Sequence, residues 1–308
     1  MNDKKTLLKQ TRIPATADSN KIIVLDNQVL ESQIFDKIDA KIWVENNKIF
    51  ANINIPAGLK LKKPIHICFA ALHKKVTQDI NMNINLAKNS EATFLSDCVL
   101  TSDKEIRHIM NSSITLGEGA SYTYLEKHIH NNSSGVYLNP SSKVKLAKNS
   151  SFKVDFELLE GRIGQTVFDY DIWADQNATI EIESRLKAFS DDKVVLKESV
   201  VLAGKGSKAL LKSRVAALDN SQIEIFNTII AKAADTRGHI DCQEILMGKG
   251  RVKAYPNAEV SNPTARVTHE ASLGGLDNKK METLMARAKS EKEAQEILLQ
   301  GILSKNNS

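Results

Sequence analysis

Cys242 and Glu244 stand together in GHIDCQEILMG, and His269 and Glu270 in RVTHEASLGGLD. A thiolate is the natural soft ligand for an iron–sulfur cluster or zinc, and imidazole and carboxylate complete many such sets. On a strand, Cys242 and Glu244 share one face, while His239 and Asp241 share the other. His269 and Glu270 are adjacent, so on a strand they point to opposite faces. They serve one ion only across a bend, which Ser-Leu-Gly-Gly could supply, or by facing different neighbours, as at a subunit seam. Each group also has a structural reading. A free cysteine is most often a small buried apolar residue, and Cys68 in HICFAAL and Cys98 in FLSDCVL read as core. His128 and His130 in EKHIHNN share a strand face and could chelate, although such a pair is more often a solvated strand end. The sequence has no C-x-x-C, which excludes a closed four-cysteine site within one chain.

Other chemistry finds less support. GKGSK at Gly204–Lys208 lacks the spacing of a phosphate loop and is not followed by a helix, so it reads as a corner and no nucleotide is expected on this chain. No Ser-His-Asp set or paired carboxylates stand out. Lys and Arg total 42 against 37 Asp and Glu, a mild excess scattered along 308 residues without interleaved aromatics, so nucleic acid is not an expected partner. No apolar run approaches the roughly 20 residues of a membrane span, and the start has no signal-peptide apolar region. Three widely spaced cysteines suit reduced thiols and a cytoplasmic location.

The elements that must position these residues are strands. LAKNS occurs twice, at Leu86–Ser90 and Leu146–Ser150, with LGEGA at Leu116 between them. WADQNA, LAGKGS and MGKGR follow at Trp173, Leu202 and Met247, and LDNSQIEIF from Leu218 is a weaker copy. Each is an apolar residue, a Gly/Asn turn and an alternating strand, such as SYTYLE or TIEIES. The spacing of roughly 30 residues is that of a solenoid. Nothing between copies has room for a crossover helix, which argues against alternating strands and helices. The expected fold is mainly β: a parallel β-solenoid over residues 21–276, with Gly and Asn at its corners. Its first part, Lys21–Leu72, reads as a shorter β region, and residues 1–20 as a polar, frayed start.

After Asp277, a good N-cap, the period changes to that of a helix. Met281, Leu284, Met285 and Ala288 fall on one helix face, and Ser290 and Glu293 form a capping box for a second helix with apolar face Ala294, Ile297, Leu298 and Ile302. Residues 277–308 are therefore a two-helix segment. By default it caps the solenoid; as a functional element it would be a docking knob.

The stretch from DCQEILMG through GLDNKKMETLMARAKSEKEAQEILLQGIL resembles the SufB/SufD family of iron–sulfur cluster assembly scaffolds, closest to the short archaeal-type, SmsB-like members. The resemblance is carried by Cys242 in DCQEI, Pro256 and Glu259 in YPNAEV, THEA at Thr268–Ala271, Leu284–Ala288 in ETLMARA, and the Ser290 capping box. It implies a non-catalytic scaffold with a β-helix core, paired with a second copy or with a SufB/SufD-like subunit. It also implies a SufC-like ABC-type ATPase docked on the C-terminal helices through Met281, Leu284, Met285, Ile297 and Leu298, and a transient iron–sulfur cluster at Cys242, His269, Glu270 and Glu244. The family often has a cysteine after the glutamate matching Glu259, where this chain has Val260. One plausible thiolate per chain leaves three readings: a homodimer pooling its ligands, a SufD-like partner contributing His269, or a structural adaptor for the ATPase without cluster chemistry. A solenoid carbohydrate-active enzyme would need clustered carboxylates and aromatic platforms, and aromatics are only 5% of the chain.

Overall fold

Period-two alternation with turn residues at a fixed spacing gives strands that each bury one edge row and stack coil upon coil. A computed structural model describes residues 2–14, 18–35, 37–72, 75–133 and 135–304. A short helix, α1 (Asn2–Gln10), precedes the strands. One sheet holds β1 (Asn20–Leu25), β2 (Gln28–Gln33), β5 (Ile65–Ala71), β7 (Glu91–Leu100), β9 (Ser121–His130), β11 (Ser151–Glu160), β13 (Thr179–Ala188), β15 (Lys208–Ala217), β17 (Arg237–Leu246) and β19 (Arg266–Gly274). The facing sheet holds β3 (Asp39–Glu45), β4 (Lys48–Ile55), β6 (Val76–Leu86), β8 (Ile106–Leu116), β10 (Val136–Leu146), β12 (Gln165–Ala174), β14 (Lys193–Leu202), β16 (Gln222–Ala231) and β18 (Arg251–Val260). From β4 onward, successive strands alternate between the sheets and pair in parallel, which is the expected parallel β-solenoid. Two short antiparallel strands, β2 and β3, close its N-terminal edge. Within Lys21–Leu72, β1 and β4 already pair in parallel with β5 and β6, so this first part belongs to the same two sheets.

The repeated words are repeated corners. Asn89 and Asn149, both in LAKNS, take φ +58°, and the serine hydroxyl that follows each donates to an alanine carbonyl 2.6 Å away. In LAGKGS, a Cβ on Gly204 would sit 1.9 Å from the backbone nitrogen of Gln176 in the previous coil, so only glycine lets these coils close. A second kind of corner is built on Asp192, which is fully buried. Its carboxylate accepts from Arg162 Nε (2.7 Å) and from the backbone N–H groups of Ile163 (3.1 Å), Gly164 (2.9 Å) and Phe189 (3.0 Å).

The interior is not uniformly apolar. Two apolar clusters, one around Phe94, Tyr122 and Phe152 and one around Phe156, Phe168 and Leu196, are parted by a seam of buried polar residues. In one sheet the seam is the register row Ser96–Glu126–Phe156–Ser184–Ser213–Cys242. In the facing sheet it is Ser112–Ser142–Tyr170–Glu198–Asn227. Ser184 Oγ donates across the interior to Glu198 Oε1 (2.6 Å), and Asn227 lies 3.3 Å from Oε2.

Two expectations about the chain ends need correction. The start is not simply frayed: Leu7 and Ile13 are buried against Ile23, Cys68 and Val99 on the outer face of the first sheet. Arg12 pairs with Asp97 and donates to the carbonyls of Ser96 (2.7 Å) and Leu125 (3.0 Å). That outer face is apolar at β1, β5 and β7, so the polar leader supplies its cover. At the other end, α2 (Asn278–Met285) and α3 (Glu291–Leu303) do not cap the solenoid. Leu299 and Leu303 bury against Ala216 and Ile245 on the flank of the first sheet, while Thr268–Leu273 on the last strand stays exposed. The N-cap at Asp277 and the capping box of Ser290 and Glu293 are present as expected. The buried face of α3 is Ala294, Leu299 and Leu303, rotated from the expected one, and Ile297 is exposed.

Candidate functional site

β17 alternates as expected, and Cys242 and Glu244 turn inward, with only 2% and 1% of their surface exposed. His239 and Asp241 turn outward; His239 Nδ1 lies 2.8 Å from Thr268 Oγ1, and Asp241 pairs with Arg214. Burial pushes the Cys242 thiol up to about 11, against the pull of a hydrogen bond with Ser213. Burial likewise raises the Glu244 carboxyl to about 7, opposed by Arg214. Among the described residues, neither carboxylate oxygen of Glu244 has a hydrogen-bond partner. A buried, unpartnered carboxyl beside a buried thiol is costly as pure structure and well suited to a cation, since binding removes both protons and satisfies both groups.

One strand further on, β19 ends the sheet. Its inward row is Val267, His269, Ala271 and Leu273, aligned with Gly238, Ile240, Cys242 and Glu244. His269 thus faces the same interior as Cys242, one strand on and two residues back. Glu270 aligns with Asp241 and points to the outside. The structure therefore sets Cys242, Glu244 and His269 on inward rows of neighbouring strands, without gathering their donor atoms within 4.8 Å of one another, and sets Glu270 on the opposite face, as adjacency on a straight strand requires. All three residues from His269 to Ala271 are exposed, because among the described residues no strand covers β19. The end coil also exposes Leu273 (56%) and Val260 (48%) on its inward rows and Tyr255 (45%), stacked on Phe226, on its outer face.

Of the five residues expected to meet a partner, Met281 and Met285 line a groove of 560 Å³ between α2, α3 and the Met247–Gly248 corner. Leu284 and Leu298 are half-buried and lie outside its lining. Met285 and Ile297 are exposed.

The seam holds a second cluster, of which the sequence suggested only the histidine pair and not Glu126 or Cys98. His128 and His130 are not a solvated strand end; both are buried, on the inward row of β9 with Tyr122, Tyr124 and Glu126. Cys98 Sγ lies 3.9 Å from Glu126 Oε1, and His128 Nε2 lies 3.0 Å from the same oxygen. His128 Nδ1 is 3.3 Å from His130 Nε2, and His130 Nδ1 is 2.8 Å from the Arg162 carbonyl. Burial lowers His108, His128 and His130 to about 3 and raises Glu126 to about 7. Glu-x-His-x-His in phase with two inward tyrosines was the available signal.

A protein-family model, SUF system FeS cluster assembly, SufBD core domain, matches residues 70–302. An iron–sulfur cluster assembly SufBD family protein of Methanocaldococcus jannaschii is 36% identical over 283 residues, 92% of this chain and 90% of the relative. One of Pyrococcus horikoshii is 32% identical over 257 residues, 83% and 78% of the two chains. A second protein of that organism is 25% identical over 274 residues, 85% of this chain and 58% of the relative.

Proposed function

Since the chain belongs to the SufBD family of iron–sulfur cluster assembly, we propose that it is a scaffold subunit on which a cluster is built at the open end of the solenoid. The observation that carries this reading is the unpartnered Glu244 carboxyl beside Cys242, under an uncovered strand that turns His269 to the same interior. The cluster is cargo rather than a resident cofactor. Iron bound there takes a thiolate once the Cys242 proton has left, and imidazole from His269. A cubane uses about four protein ligands, so one chain is half a site. A second copy or a related subunit, meeting this end through Val260 and Leu273, supplies the rest. Glu270, facing outward, then serves the seam between subunits rather than the ligand set of its own chain. The chain has no reaction of its own in this account.

Anaerobic reconstitution of the full chain with iron and sulfide is the test. A brown species with iron and sulfide in equal amounts is expected, with retention lost in Cys242→Ser and reduced at least tenfold in His269→Ala. Retention unchanged in Cys242→Ser overturns the assignment. A colourless product in the wild type, with the ATPase still bound, favours the adaptor reading and makes Val260 its reason.

The same reading places an ABC-type ATPase on α2 and α3, where Met281, Leu284, Met285, Ile297 and Leu298 present apolar surface in the helix-in-groove manner. Met285→Ala combined with Ile297→Ala is expected to abolish co-purification of the ATPase while leaving the unfolding midpoint within experimental error. Both side chains are exposed, so their removal opens no cavity. Retained ATPase overturns this surface.

A further inference from the structure

The Cys98 end of the seam lies five strands from Cys242 along the same sheet, about 24 Å at the usual 4.8 Å strand spacing. Its protons can be placed by elimination. The Arg162 carbonyl only accepts, so His130 Nδ1, 2.8 Å away, carries a hydrogen. In a neutral ring that leaves His130 Nε2 bare. His128 Nδ1, 3.3 Å from it, therefore carries its own hydrogen. His128 Nε2 is then bare as well, and it points at Glu126 Oε1 from 3.0 Å. Two lone pairs do not face each other at that distance unless a proton or a cation lies between them.

Three further observations favour a cation. Cys98 Sγ, Glu126 and His128 Nε2 offer donor atoms that all lie within 4.8 Å of one another. The separations of 3.0 and 3.9 Å bracket the edges of a tetrahedron with bonds of about 2.0–2.3 Å. The other oxygen of Glu126 is buried without a partner. His108, like His128, is held through its Nδ1, by the Gln78 amide where His128 meets His130 Nε2. Gln78 Nε2 donates to the carbonyls of Asp26 (2.6 Å) and Ala70 (3.1 Å), so Gln78 Oε1 accepts from His108 Nδ1 at 2.8 Å. That leaves His108 Nε2 bare, buried and without a partner, on a ring 6.2 Å from that of His128. Imidazoles whose far nitrogen is fixed by a carbonyl or an amide are oriented as metal ligands are.

We propose that Cys98, Glu126 and His128 form an internal site for a divalent transition metal ion of the iron(II)–zinc(II) type, with His108 as a further donor beside it. This site stands apart from the cluster at Cys242 and does not depend on it. On binding, a metal–sulfur bond replaces the Cys98 S–H bond and a metal–oxygen bond forms to Glu126. The thiol proton, and any proton between Glu126 and His128, leave to solvent. A dication with one thiolate, one carboxylate and neutral imidazole is uncharged overall, as a dry interior requires.

The test is anaerobic titration of the metal-free full chain with cobalt(II), which reports thiolate and four-coordination in its absorption. In the Cys242→Ser background one cobalt per chain is expected, with a near-ultraviolet thiolate-to-metal band. The band is expected to vanish in Cys98→Ser, and affinity to fall at least tenfold in Glu126→Gln and His128→Gln. Glu126→Gln matches the neutral acid in shape, so it keeps the test decisive if Cys98→Ser does not fold by circular dichroism. A thiolate band that persists in Cys98→Ser, affinity unchanged in Glu126→Gln, or no thiolate-bound cobalt in the Cys242→Ser chain overturns the site and leaves a shared proton in its place. None of these readings involves sulfide or the Cys242 cluster, so the two assignments fail separately.

Discussion

Asp192→Ala should unfold the chain at a midpoint far below that of the wild type, with a loss of about 3–5 kcal/mol in stability. Removing one partner of a buried, hydrogen-bonded charge pair costs that much because the other charge stays behind. Here the loss is compounded. The fully buried Asp192 carboxylate accepts from three backbone N–H groups as well as from Arg162 Nε, and alanine leaves all four donors without it. Arg162 keeps Asp191, which is mostly exposed, so part of the guanidinium remains paired. Asp192→Asn retains the shape and one acceptor oxygen, and should cost clearly less. Chemical unfolding of the two variants checks both the size and the order. Equal costs would show that charge, not shape, holds this corner.

Glu198→Gln should stabilise the protein above neutral pH and do little in acid. Burial raises the Glu198 carboxyl to about 7, with a smaller opposing pull from Ser184. A folded-state value above the unfolded one means that the native chain keeps a proton which the unfolded chain has lost between about pH 4.5 and 7. Stability from this group therefore falls as pH rises through that window. The accumulated difference is on the order of 3 kcal/mol above pH 7. Glutamine has no proton to lose, and its amide matches the neutral acid toward Ser184 and toward Asn227, whose own buried Oδ1 lacks a donor. The wild-type profile alone is a poor readout. His108, His128 and His130, lowered to about 3, withhold protons that the unfolded chain binds below about pH 6.5, and so act in the opposite sense. The difference between variant and wild type cancels them. It should be near zero at pH 4 and grow to its full value by pH 8; a difference independent of pH would mean that Glu198 titrates alike in the folded and unfolded chain.

The solenoid was legible because its signals are local and repeated. LAKNS specifies the same left-handed asparagine at both occurrences, and SYTYLE and TIEIES state their inward rows. The Ser290 capping box was legible for the same reason. The seam was not, because inward placement of Glu126 and His128 depends on partners far away in sequence, such as the Arg162 carbonyl. Taken locally, a glutamate and two histidines belong in water. The rotated face of α3 has another cause. Ile297, Leu298, Leu299, Ile302 and Leu303 make that helix apolar on most sides, so periodicity could not choose, and the contact with Ala216 and Ile245 decided. The docking of Leu7 and Ile13 was set by an outer sheet face that only the tertiary structure reveals.

The two ends of the solenoid are unlike. At the first, β2 and β3 are short and antiparallel, carry Glu31, Asp39, Lys41 and Glu45, and β1–β2 has a register break at Ile23/Val24. These are the features by which natural sheets refuse further strands. At the last, β18 and β19 are ten and nine residues long, regular and uncovered. Head-to-tail stacking would join the receptive end to the refusing one, so a growing fibre has no second monomer to add. The fold thereby opposes edge-on fibre growth, a stop rule written in strand length and direction rather than in any single residue.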